Sequence, residues 1–178
     1  KNLKGSKFRS VTGENVNFEG CNLQETIFTG VNLSNSNFKG SNLQNIEFSY
    51  VDFEEGVNFE GVISGGIKMG RLVKFPDNYK IIGGYIIGPK VNLRRANLKE
   101  LDLTNVKLEG VISGDIISSN TKLPEYYKII KGYIFGPGVN LSNADITGLD
   151  LSRFNLEGVI SGGIKSDEKT ILPTDYKI

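Results

Sequence analysis

The chain has 178 residues and a mass of 19.5 kDa, with 22 Gly, one Cys and neither His nor Trp. Without His there is no Ser–His–Asp triad, no Cys–His pair and no His metal ligand, and a single Cys excludes an internal disulfide and a thiolate zinc cluster. Twenty-one Lys and Arg against twenty Asp and Glu leave +1, so neither a nucleic-acid-binding surface nor a polyanion stands out. No run reaches the roughly 18 apolar residues of a membrane span. The length suits one domain with a real core.

From Leu3, every fifth residue is Leu3, Phe8, Gly13, Phe18, Leu23, Phe28, Leu33, Phe38, Leu43, Phe48 and Phe53, and all but Gly13 are Leu or Phe. Two positions before each sits a small or β-branched residue, such as Val16, Cys21, Thr26, Val31 or Ser36, and between the two is usually Asn or Asp. A period of five is neither helical nor that of a long strand, and marks a solenoid. Two inward residues flanking a polar one read as a very short strand. Gly and Asn in the remaining positions (Gly20, Asn35, Gly40) bend the chain toward the next side because they tolerate positive φ. Leu and Phe alternate, so four sides place Phe8, Phe28 and Phe48 on one wall, Phe18 and Phe38 opposite, and Leu3, Leu23 and Leu43 on a third. Three sides mix them. Like-on-like columns favour the square coil.

Units such as Val31-Asn32-Leu33-Ser34-Asn35, Ser41-Asn42-Leu43-Gln44-Asn45 and Ala96-Asn97-Leu98-Lys99-Glu100 resemble the pentapeptide-repeat family, whose motif is Ala-(Asp/Asn)-Leu-x-x. The resemblance covers residues 1–61, 91–110 and 139–158. It implies an all-β, right-handed, four-sided parallel β-helix. Gly13 leaves a core slot empty, which predicts a void or an invading neighbour. Gly56 adds a residue and predicts a bulge.

A second period of 48–49 residues overlies the first: Glu60 to Ile67 recurs as Glu109 to Ile116 and Glu157 to Ile164. Pro76, Pro124 and Pro173 follow, then Tyr79-Lys80-Ile81-Ile82, Tyr127-Lys128-Ile129-Ile130 and Tyr176-Lys177-Ile178. The expected organisation is a single β-helix over 1–178, with regular coils over 1–61 and, over 62–178, four pentapeptides alternating with a longer module. The preferred reading of that module is a continuous coil with a loop protruding at 68–78, 117–126 and 165–175. The alternative is a β-hairpin turning at Gly83-Gly84. The whole makes roughly seven or eight coils and a rod of about 35–40 Å. A start at Lys1 without Met and an end inside a repeat predict a fragment of a longer array, with ordered neighbours at both open ends.

The candidate chemistry is sparse. Cys21 fills a small inward slot and reads as buried filler. The Asn and Asp columns (Asn22/Asn42, Asn17/Asn37, Asn32/Asp52) read as an amide ladder along the stack rather than a cation or sugar site. Glu54-Glu55 and Asp167-Glu168 are neighbours whose side chains point apart. Asp102 and Asp150 lie two coils, about 10 Å, apart, beyond the spacing of an inverting glycosidase pair. Gly65-Gly66 and Gly83-Gly84 lack the features of a phosphate loop and read as turns. Lys68, Arg71 and Lys74, with Arg94 and Arg95, form a modest basic patch that reads as a solvated face or a contact for an acidic partner.

The expectation is therefore a non-enzymatic scaffold without catalytic, cofactor or metal residues. It meets protein partners, neighbouring subunits or the rest of a parent chain, through its open ends and loops, in an appendage, virion or cell-surface assembly. No nucleic acid, membrane or small-molecule substrate is expected. Two alternatives are weighed. The family resemblance implies DNA mimicry toward type II topoisomerases, which needs a strongly negative surface; residues 1–56 carry five cations and seven anions, −2, and the rest +3. A carbohydrate-binding or carbohydrate-active β-helix implies a wider, three-sided coil with clustered acids.

Overall fold

The computed structural model describes residues 1–174 and Tyr176, in two compact units, Lys1–Asn92 and Leu93–Ile178. The described residues are all-β. In the first unit, β1 (Lys7–Arg9), β2 (Ile27–Asn32), β3 (Glu47–Asp52) and β4 (Lys68–Met69) form a parallel sheet in that order. Phe8 pairs with Phe28 and Phe28 with Phe48, so successive strands are one twenty-residue coil apart. The other sides are single rungs: Asn2, Asn22, Asn42, Ile63 and Asn92 on one, Thr12, Asn32, Asp52 and Lys74 on another, and Asn17, Asn37 and Asn58 on the fourth. Five residues per side and twenty per turn give the square coil expected from the pentads.

The core follows the predicted columns. Phe8 and Phe28 stack at 4.8 Å, Phe18 and Phe38 at 5.1 Å, and Phe28 and Phe48 lie 5.9 Å apart. Leu23, Leu33 and Leu43 are buried, and the inward hydroxyls of Thr26 and Ser36 donate to the carbonyls of Leu3 and Gly13 in the preceding coil. At Gly13 the neighbours have moved in: a Cβ there would stand 3.0 Å from Val31 Cγ1 and from Leu33 Cδ2. Phe8, Phe18 and Phe28 line an apolar pocket of about 420 Å³ beside it. The extra residue at Gly56 is absorbed in a corner turn at positive φ, after which the register shifts to 21, as in Asn37 with Asn58.

The long module corrects the continuous-coil reading. After three ordinary sides the chain forms an antiparallel hairpin of β5 (Lys80–Ile82) and β6 (Tyr85–Ile87) in the first unit, and of β7 (Lys128–Ile130) and β8 (Tyr133–Phe135) in the second. The two-residue turns, Gly83-Gly84 and Lys131-Gly132, have positive φ throughout, the conformation that matches the twist of a tight hairpin. Each tip reaches the corner between the first two sides, where the Gly84 carbonyl accepts from Ile67 N and that of Gly132 from Ile116 N.

The expected loops at 68–78, 117–126 and 165–175 are likewise corrected. Lys68–Met69 is β4, Lys74 pairs with Asp52, Ile117 with Asn97, Lys122 with Asp102, Lys165 with Asp145 and Ile171 with Asp150. The in–out–in pattern survives in Val73-Lys74-Phe75 and Thr121-Lys122-Leu123, so these stretches remain coil sides. Only the corners between them vary in length. In the third copy, Asp175, Lys177 and Ile178 lie outside the described residues.

In the second unit, Ile112, Asn140 and Ile160 continue one side. The hairpin is packed into the stack: the Tyr133 hydroxyl accepts from Asp145 N at 3.4 Å, and Phe135 meets Phe154 edge-on at 5.8 Å.

Candidate interaction surface

The outward slots are mostly committed to the coil itself. Asn22 Oδ1 accepts from Gln24 N, Asn42 from Gln44 N, Asn32 from Ser34 N, and Asp52, Asp102 and Asp150 repeat the bond at 2.9–3.0 Å. The recurring Asn or Asp therefore caps its own corner by bonding the backbone two residues on, the Asx turn. The expected ladder along the stack is minor, shown by Asn37 Nδ2 to Asn17 Oδ1 at 3.2 Å and by the Gln24–Gln44 pair.

Several carboxylates are stabilised as anions. The Thr104 hydroxyl bonded to Asp102, and the Lys122 ammonium 3.4 Å away, hold that carboxyl below its ordinary range. Ser152 acts similarly on Asp150, and Thr170 with the Gly148 N–H on Asp167. A general acid needs the reverse shift. Glu54 and Asp52 both pair with Lys74, at 3.2 and 3.6 Å. Cys21 is buried. No group of three or more acidic or Cys side chains suited to a metal ion occurs among the described residues.

The basic patch is dispersed. Lys74 is paired, Lys68 lies in register with Glu47, and the Arg71 carbonyl accepts from Tyr50 N. In the second unit, Arg94 reaches the Ser142 carbonyl at 3.4 Å and Arg95 lies 3.8 Å from Asp115.

Large apolar side chains also face outward: Val11, Tyr50, Met69 and Leu72 in the first unit, and Ile117, Tyr126, Ile160 and Ile171 in the second. Tyr50 and Leu72 occupy positive φ, a conformation bulky residues rarely adopt. The hairpins, which the sequence offered only as the alternative at Gly83-Gly84, add a strand side to each unit. Its signal was Val-Ile-Ser, with Ser64 and Ser113 in an inward slot that pentads fill with Leu or Phe. Both hydroxyls are buried and accept a hairpin N–H, from Ile86 at 3.0 Å and Ile134 at 2.9 Å.

A four-sided coil with capped corners and an apolar interior defines a class of repeat protein, the square β-helix. The pentapeptide repeats family model matches this chain in eight copies, over residues 14–49, 26–63 and 89–112, and those stretches are pentapeptide repeats. No curated protein matches it. Among solved structures, a trypsin-treated variant of QnrB1, described as a plasmid-mediated fluoroquinolone resistance protein, is 19% identical. That match covers 90% of this chain and 84% of that one with a TM-score of 0.38. Rfr23 from the cyanobacterium Cyanothece 51142 is 19% identical over 96% and 90% of the two chains, TM-score 0.21. HetL from Nostoc sp. strain PCC 7120, involved in heterocyst differentiation regulation, is 16% identical over 99% and 93%, TM-score 0.24.

Proposed function

We propose that the chain is a non-enzymatic binding scaffold whose coils hold partner-facing side chains in fixed register within each unit. One observation carries the reading. Many polar outward residues already serve the chain, as corner caps or as coil-to-coil ion pairs such as Lys39–Glu60 at 2.9 Å, whereas the apolar side chains of Leu72 and Ile117 are held outward, 76% and 60% exposed. Exposed apolar groups held on a rigid frame suit a protein partner.

Topoisomerase binding by DNA mimicry is the weaker reading, because the net charge is +1 and cations alternate with anions along the walls, as in Lys4–Glu25 and Lys39–Glu60. As the pair weighed for carbohydrate chemistry, Asp102 and Asp150 are both held below the ordinary range, which does not suit a general acid.

The test places a photo-crosslinking residue at Leu72, Ile117 or Tyr126, with Asn22 as control, in cells that make the protein. Protein adducts confined to the apolar positions support the scaffold. Turnover of a polysaccharide panel, or inhibition of gyrase supercoiling, would replace it with one of the alternatives.

A further inference from the structure

The second hairpin carries a backbone edge with no hydrogen-bond partner among the described residues. Ile129 stands opposite Ile134, whose N–H turns away from β7 to the Ser113 hydroxyl. In an antiparallel ladder the two members of a non-bonded pair turn outward together. Ile129 therefore directs its N–H and C=O to the open side of β7. Ile81 repeats the geometry in the first hairpin, where Ile86 N bonds Ser64.

A groove of about 400 Å³ is lined by Ile129 and Ile130 of β7 together with Ser118, Asn120, Thr121 and Leu123. Lys128 is shared with an adjoining groove of about 280 Å³ that Arg153 and Phe154 help to form. The Lys128 ammonium stands 5.6 Å over the Phe154 ring. Neither Lys128 nor Arg153 has an ion-pair partner within 4.0 Å among the described residues. Glu125 is engaged with the Tyr126 hydroxyl, and Asp150 feels the Arg153 charge but caps Ser152.

We infer that this edge receives an extended, acidic segment of a partner protein as an added strand. The Ile129 backbone supplies main-chain bonds, the groove takes alternate side chains, and Lys128 with Arg153 meets the carboxylates. A basic segment leaves both cations unpaired, and a helical one cannot use the backbone pair. The inference rests on the scaffold reading.

The test titrates the whole chain with a dye-labelled peptide of alternating valine and glutamate, followed by fluorescence anisotropy. Saturable binding is expected. It should weaken at high salt, fall at least about tenfold in the Lys128→Glu/Arg153→Glu double variant, and vanish when alternate peptide amides are N-methylated. N-methylation leaves the protein untouched, so its result does not depend on how a variant folds. Absent binding, equal binding of a valine–lysine peptide, or unimpaired binding of the methylated peptide would overturn the inference. A native partner that crosslinks at Ile117 and binds the double variant undiminished would overturn this edge alone; turnover of a substrate would remove the scaffold reading beneath it.

Discussion

The buried hydroxyl of Ser113 accepts the N–H of Ile134 at 2.9 Å. This bond fastens a hairpin strand to an inward slot that the pentads mostly fill with Leu or Phe, and Ser64 with Ile86 repeats it. The replacement both vacates volume and supplies the acceptor that a buried strand N–H requires.

Ser113→Ala should therefore strand the Ile134 N–H and destabilise the protein by about 1–3 kcal/mol. Urea unfolding reads the loss. An unchanged midpoint would mean that the hairpin does not depend on this acceptor.

Two other inward serines should behave oppositely. Ser36 donates to the Gly13 carbonyl at 2.9 Å, whereas the buried Ser41 hydroxyl has no partner. Ser36→Ala should cost roughly 0.5–1.5 kcal/mol, and Ser41→Ala should raise stability, because it removes a buried polar group that gains nothing. Thermal unfolding of both variants checks the contrast; equal effects would contradict it.

Phe28 is 1% exposed and lies between Phe8 and Phe48. Phe28→Ala should cost about 3–5 kcal/mol by opening a cavity in the column. A loss below about 1 kcal/mol in denaturant unfolding would mean that the column is not packed as described.

The pH dependence follows from the groups that shift. Neighbouring hydroxyls of Thr104, Thr147, Ser152 and Thr170 hold Asp102, Asp145, Asp150 and Asp167 below the ordinary range. Their contribution is present above the unfolded value near 3.9 and is lost as pH falls through the folded values. Burial pushes Tyr79 and Tyr127 up, so their contribution is complete below about pH 10 and is lost as pH rises through the folded values. With no His to titrate, the melting temperature should be flat between about pH 5 and 8, falling on both flanks. A step near pH 6.5 would contradict this.

The period of five exposed the coil, its four sides and its Phe columns, because burial alone writes that pattern. It did not separate a ladder from a cap: Asn22 and Asn42 are twenty residues apart in either case, and only the bond from Oδ1 to the next-but-one N–H decides. The hairpin was open as an alternative at Gly83-Gly84, but the deciding residue was Ser64, whose polar side chain in an apolar slot asks for a buried donor. The supposed loops misled because their variable corners, such as Gly70 to Leu72, drew attention from paired residues on either side, Lys68 and Lys74.

Four-sidedness itself is tested most directly by disulfide trapping in a Cys21→Ser background. Thr29 and Ser49 are register partners on β2 and β3, one coil apart, and neighbouring strands at about 4.8 Å lie within disulfide reach. The Thr29→Cys/Ser49→Cys variant should oxidise readily, and Thr29→Cys/Gln44→Cys, spaced for a three-sided coil, should not. Oxidation of the second pair in place of the first would contradict the square coil.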